Sequence, residues 1–360
     1  MTRKRALKLF TFVVYLACVC EGMTRLAWEI PRVAGRMPMT EEDWWRSHWL
    51  ERHKETGRDV FYDFDLYDPT KGWRARPNVR DRVAFGDKVL NTNSRGLRGR
   101  TDYTYEKHPG QVRILVFGDS FTFGDEVSDD DTYCHYLQEM LPQAEVINMG
   151  VHGYGHDQML IFLEEEGLKY QPDIVVLGFL PMDMLRNVLA FRDYAKPKFV
   201  VRDGALALTG SPVPRPEDTL KQHGPRSRAL DLVAAVWEKF EKTSGRYETN
   251  AEKTTTAILT EMVNVTRRVG ATPIFVYLPL GEEVSAPGMT KGEAYLSSMC
   301  AQNGNVRYFS TRLLFAEKAK QGEQFKPLGH WQPVGHRVAA EAIAAYLHSE
   351  GYVAPASARN

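Results

Sequence analysis

The stretch 112–127, VRILVFGDSFTFGDEV, decides the fold. Ile114, Leu115, Val116 and Phe117 are four apolar residues in a row, closed off by Gly118. An uninterrupted run of this kind is the pattern of a parallel strand covered on both faces. Gly118-Asp119-Ser120 then predicts a sharp turn, with Gly124 as a second flexible point. Ser120 therefore stands at the carboxyl end of a strand, the edge where open α/β sheets bind ligands. A serine there is a nucleophile if a base reaches it, and otherwise a cap of the following turn.

The pattern repeats outward from this stretch. Strands are predicted over 113–117, 145–149, 173–179 and 272–278, with a last short one at 306–309. Helices are predicted over 132–141, 158–169, 228–242, 254–269, 289–303 and 335–349. Strands alternating with helices imply βαβ units and a parallel sheet. The helix at 228–242 carries Leu232, Val236 and Phe240 on one face. Residues 184–227 break the rhythm with a hairpin through Asp203-Gly204 and prolines at 212, 214 and 216, and they read as an insertion next to the strand ends. Upstream, 40–59 is a polar helix with Trp44, Trp45 and Trp49, followed by turn-rich, short extended pieces over 62–105. The expected organisation is an N-terminal segment at 1–30, an extension at 31–110 and an α/β domain at 111–352.

Arg3, Lys4, Arg5 and Lys8 precede an apolar run from Leu9 to Cys20. A basic stretch followed by an apolar one is an export signal. The run is shorter than the roughly 20 apolar residues of a full span, but Leu26, Ala27, Trp28 and Ile30 follow Glu21. An uncleaved membrane anchor is the preferred reading, ahead of a cleaved signal and of a buried helix. The positive-inside rule then places the body of the chain outside the cytoplasm, in an exported location. Lys and Arg together number 46, as do Asp and Glu, so the formal net charge is zero. That balance gives no support for nucleic acid as a partner. Four cysteines, with no C-x-x-C pair, make no disulfide scaffold; Cys134 and Cys300 alone fall in the globular part.

Three loops after three successive strands carry possible catalytic groups: Gly118-Asp119-Ser120, the run from Asn148 to Gly155, and Gly178 to Asp183. Gly329-His330 and Gly335-His336 come just before and at the start of the last helix. A serine, a glycine whose N–H can approach a substrate, and a late histidine are the parts of an acyl-transfer site. Asp119 is expected to bond backbone amides near its turn, His152 to line the pocket, and His336 to cap or pack the last helix.

With these blocks in this order, 113–347 resembles the SGNH/GDSL hydrolase family. The resemblance implies a flavodoxin-like three-layer α/β/α sandwich. It implies hydrolysis or transfer of ester-linked acyl groups, with no metal or other cofactor. It marks Ser120 as nucleophile, His330 as its base, and the N–H groups of Ser120 and Gly153 as the oxyanion hole. Two positions depart from the family pattern. Met182 stands where an asparagine usually donates to the oxyanion. Pro327 and Leu328 stand where an aspartate usually precedes the histidine, so a substitute acid is expected, with Asp183 and Glu323 as candidates. The expected substrates are small-molecule, glycan or lipid esters. The rival reading is a catalytically eroded binding protein for acylated glycans on the same scaffold. A nucleotide-binding domain is disfavoured, because the first turn lacks G-x-G-x-x-G and a P-loop lysine.

Overall fold

The structure, a computed structural model, describes residues 3–60, 62–221, 226–304, 306–325 and 329–354. The chain opens with helix α1 (Arg3–Glu29), no residue of which is buried. By length and composition α1 is long and apolar enough to cross a membrane. Helix α2 (Glu41–Thr56) follows. The Thr40 hydroxyl caps it by accepting the Asp43 N–H, and three acidic residues fill its first turn, against the positive end of the helix dipole. Trp49 fastens α2 to the domain, fully buried against Phe191 and Tyr194.

The alternation then unfolds in chain order. It runs β1 (Val112–Phe117), α3 (Tyr133–Met140), β2 (Ala144–Asn148), α4 (His156–Glu165) and β3 (Ile174–Phe179). After the insertion come α5 (Arg228–Thr243), α6 (Arg246–Arg268), β4 (Thr272–Tyr277), α7 (Lys291–Gln302), β5 (Arg307–Ser310), α8 (Arg312–Lys320) and α9 (Pro333–Ser349). Among the described residues the five strands form one sheet in the order β2-β1-β3-β4-β5, with every pair parallel. This is the flavodoxin-like order, and its switch point lies between β1 and β3, at the end of the strand that leads to Ser120.

The central strands carry apolar side chains on successive residues because both faces are covered. Leu115, Phe117, Ile147, Val175, Leu177 and Phe275 pack on Met159, Leu163, Ile258, Met262 and Leu296 from α4, α6 and α7. Their neighbours Ile114, Val116, Val146, Val176, Ile274 and Val276 pack on Leu137, Phe315, Val338, Ile343 and Leu347 from α3, α8 and α9. Alternate residues serve alternate layers, as the two-residue period of a strand requires. Each such side chain contributes about 1.5–3 kcal/mol on burial.

The extension and the insertion are parts of this body. Trp49, Val60, Trp73 and Leu97 belong to the same apolar cluster as β1 and β3. The insertion hairpin, Lys198–Arg202 with Ala205–Thr209, turns at Asp203 and Gly204, both at positive φ. It is tied to the extension: the Tyr67 hydroxyl donates to the Val213 carbonyl at 2.5 Å, and the Val213 N–H donates to Pro69 O at 2.7 Å. Arg52 reaches the Asp193 carbonyl at 2.8 Å. Residues of both segments help to wall the cavity at the carboxyl ends of the strands.

Candidate active site

Ser120 begins the one-turn helix Ser120–Phe123 at the end of β1. Asp119 caps that turn by accepting the Phe121 N–H at 3.0 Å, as expected of it. Gly118 has no room for a Cβ, which would strike the Thr122 side chain. The Ser120 Oγ lies 2.7 Å from Nε2 of His330. It also lies 3.3 Å from the Asp119 carboxylate. His330 is held by the residue after it: Trp331 is buried, donates to the Pro279 carbonyl at 3.3 Å, and packs on Phe121 and Phe315.

The acid at the other side of the imidazole is Glu126, whose Oε1 is 3.2 Å from His330 Nδ1. A tautomer protonated at Nδ1 donates to Glu126 and leaves Nε2 to accept from Ser120. This corrects the expectation of Asp183. That carboxyl is fully buried 2.6 Å from the Arg186 guanidinium, which also lies 2.9 Å from Asp119. Burial pushes the Asp183 carboxyl well up, against the pull of Arg186. It therefore belongs to a carboxyl–arginine cluster beneath the turn. Pro327 and Leu328 lie outside the described residues.

Glu126 reaches the ring because the backbone after Ser120 turns back on itself. Gly124 and Glu126 both adopt left-handed conformations, with φ of 92° and 65°. For a glutamate that conformation costs roughly 1–2 kcal/mol. The extension supplies what holds it: buried Arg98 donates to the carbonyls of Phe123 (3.2 Å), Gly124 (3.0 Å) and Val127 (2.8 Å) and pairs with Asp129 at 2.6 Å. Arg98 thus brackets Glu126 on both sides. The sequence holds one signal for Glu126, an acid within the same stretch as the serine, but nothing in its spacing foretells a reversal at a non-glycine residue.

The glycine loop is equally braced. Asn148 donates to the Thr122 carbonyl at 2.8 Å and accepts the Gly150 N–H at 2.9 Å, tying this loop to the serine turn. Trp73 donates to the His152 carbonyl, and His152 Nε2 lies 2.9 Å from Asp65. Burial alone would push that imidazole down, but Asp65 holds it above its ordinary value. His336 is buried, accepts the Tyr133 N–H at 3.2 Å, and is pushed down to about 3 by burial; it packs the last helix. Met182 is 40% exposed on the cavity wall, where its thioether offers no side-chain N–H.

Gly153 has a φ of 76°, and a Cβ on it would come within 2.5 Å of Arg192 Nη1 and 2.7 Å of Asp193 Oδ2. Gly153→Ala is accordingly expected to lose stability by about 1–3 kcal/mol from the backbone alone. If the Gly153 N–H meets the oxyanion, kcat/KM should also fall about 100-fold. Steady-state assay beside denaturant unfolding checks both effects.

The cavity holds about 560 Å³ and is lined by Ser120, Gly153 and His330 together with Trp45, Tyr62, Phe121, Met182, Arg192 and Leu280. Asp125 also faces it. Burial raises this carboxyl to about 6, and its Oδ1 has no hydrogen-bond partner among the described residues. An acid whose pKa is raised by folding is penalised once it ionises. Stability should therefore fall as pH rises from about 4 to about 6, and stay lower above that, by at most about 3 kcal/mol. Asp125→Asn should remove this slope and stabilise the protein at pH 7.5 more than at pH 4, as read by denaturant unfolding at both pH values.

No family model matches the chain, and no curated protein matches its sequence. Solved structures do resemble it in fold, among them a protein of the G-D-S-L family and esterases. One, a protein described as lipolytic and of the G-D-S-L family from Desulfitobacterium hafniense DCB-2, is 14% identical. That likeness covers 65% of this chain and 99% of the other, with a TM-score of 0.38. A two-domain esterase active on acetylated mannans is 13% identical over 69% of this chain and 52% of its own, with a TM-score of 0.40. A catalytic mutant of Axe2, an acetylxylan esterase from Geobacillus stearothermophilus, is 15% identical over 70% of this chain and 100% of its own, with a TM-score of 0.38.

Proposed function

We propose that the chain is a serine-dependent ester hydrolase or acyltransferase. The observation that carries this reading is the continuous relay from Ser120 through His330 to Glu126, at 2.7 and 3.2 Å. His330 Nε2 takes the Ser120 proton as Oγ attacks the ester carbonyl. The carbonyl oxygen becomes an oxyanion, met by the N–H groups of Ser120 and Gly153. Collapse breaks the bond to the leaving alcohol, which receives the proton from His330, and leaves an acyl-serine. Water, or an acceptor hydroxyl in a transferase, repeats the steps in reverse and frees the serine.

Met182 removes one side-chain donor usual in the resembled family, an omission that costs on the order of 100–1,000-fold where measured by mutation. Arg192 Nη1, which sits where a Gly153 side chain would project, is a cationic donor on the same wall. The cavity lies within the size range of small-ligand sites. Its aromatic and apolar wall, with Trp45, Tyr62 and Leu280, suits a small acyl group on a carbohydrate or lipid alcohol. Helix α1 is proposed to tether the catalytic body to the outer side of a membrane.

Incubation of the full chain in detergent with a fluorophosphonate tests the reading. Covalent labelling at Ser120, with release of p-nitrophenol from p-nitrophenyl acetate, is the expected result. Neither labelling nor turnover, where a control esterase gives both, would favour the binding-protein reading to which Met182 points.

A further inference from the structure

We propose that α5 is an interfacial membrane helix, lying with its apolar stripe in the bilayer surface beside the exit of α1. This rests on the reading of α1 as a membrane anchor and extends it to a second contact. The periodicity places Leu232, Val236 and Phe240 on one face of this helix. In the structure Leu230 (68%), Val233 (64%), Val236 (55%), Trp237 (56%) and Phe240 (48%) are exposed, while Ala235 alone of this helix is buried. At 100° per residue the five fall within an arc of about 120°, on the side away from Ala235. An exposed apolar stripe along a helix about 24 Å long is a contact surface, and a soluble monomer rarely carries one.

What covers the stripe is indicated by what holds the helix. The Glu21 carboxylate of α1 accepts from the Ser227 hydroxyl at 2.7 Å and from the Ala229 and Arg228 N–H groups at 3.1 and 3.2 Å, capping the start of α5. Arg25 donates to the Arg226 carbonyl at 2.8 Å, and the Arg228 guanidinium lies 5.0 Å from the Trp28 ring centroid. These contacts meet Glu21, the acid that interrupts the apolar run of α1, with three donors from the start of α5. They also fix the start of α5 at the end of the segment that would cross the bilayer. Met23, Leu26 and Ile30 stay exposed at the same level, so apolar surface continues from one helix towards the other. Trp237 is the residue type favoured at the interface, and the Arg246 guanidinium, 5.5 Å from the Phe240 ring centroid, sets a charge suited to anionic headgroups beside the stripe. The Glu21 and Arg25 contacts keep the stripe beside the segment proposed to cross the bilayer, so the membrane surface is the occupant at hand.

The test uses the full chain in nanodiscs of phosphatidylethanolamine and phosphatidylglycerol, with and without brominated acyl chains. An environment-sensitive fluorophore is placed at one cysteine at a time, Cys134 and Cys300 being buried. Native Cys18, in a Cys20→Ser chain, reports on the anchor. Val233→Cys in a Cys18→Ser, Cys20→Ser chain reports on α5. Lys320→Cys in that same background reports on α8, in the helix layer across the sheet. Cooperative unfolding of each labelled protein confirms its fold. Strong quenching by brominated lipid at Cys18 and at Val233→Cys, with little at Lys320→Cys, is the expected result. Quenching at Cys18 but not at Val233→Cys overturns the proposal while leaving the anchor standing. In that case a blue-shifted Val233→Cys emission means a protein partner, such as a second copy, covers the stripe. If Cys18 is also unquenched, anchor and interfacial helix fall together.

Discussion

Ser120→Ala is expected to abolish ester cleavage, with a loss in kcat on the order of a million-fold, and to leave folding intact. The Ser120 Oγ lies 2.7 Å from His330 Nε2, and Ala can neither form nor carry the acyl intermediate. Residual turnover should come only from binding and the backbone donors, which retain about 1,000–10,000-fold over water once a triad member is gone. The side chain contributes little to the fold: its remaining contact is a 3.3 Å hydrogen bond to Asp119, which stays paired with Arg186 and with the Phe121 N–H. The measurement is turnover of an aryl acetate together with the denaturation midpoint. A variant retaining most of the wild-type rate would end the nucleophile assignment. Loss of rate together with loss of cooperative unfolding would show that the residue holds the turn.

Glu126→Gln is expected to lower kcat by about 100- to 10,000-fold with little change in KM. The amide keeps the size of the carboxylate but can present an N–H to Nδ1, which favours the tautomer protonated at Nε2. That tautomer cannot accept the serine proton; loss of the orienting carboxylate in a triad of this kind costs up to about 10,000-fold. The lower end applies because Glu126 is partly exposed at a 3.2 Å contact, where water can replace part of its effect. Glu126→Asp should recover part of the loss, since the charge returns on a shorter arm. Fluorophosphonate labelling of Ser120 should slow in parallel, because it needs the same proton transfer. The contrasting variant is Asp183→Asn, at the carboxyl the sequence had offered as the acid. Its partner is Arg186, so its effect should appear in the unfolding midpoint and far less in kcat. The reverse pattern would return the acid's role to Asp183.

Much of the fold was legible in the chain itself. The runs at 114–117, 174–177 and 274–277 are apolar without a break, the pattern of strands covered on both faces; with helical periods between them, a parallel sandwich follows. Ser120, the glycine loop and His330 were legible for a related reason. Each sits at a strand end or just before a helix, where local turn chemistry marks it. The hairpin at Asp203-Gly204 was marked in the same way.

The acid was not legible, and neither was the cavity wall. Glu126 faces His330 from a left-handed backbone that Arg98 braces by donating to three neighbouring carbonyls. A tertiary contact can stabilise a backbone state that local preference disfavours, and no periodicity records it. Trp45 and Tyr62 meet Arg192 across the site because two segments distant in sequence share one apolar cluster, and burial has no direction along the chain. The stripe of α5 shows the same limit. Its period was readable, but whether an apolar face turns to the core or away from it depends on what the neighbouring helices already cover. The sequence by itself determined the layers and the strand ends, because these rest on local pattern, while Ser120 and His330 were marked as a pair by the family resemblance. The tertiary structure decided the acid, the wall and the outward face, because these rest on which distant groups satisfy one another.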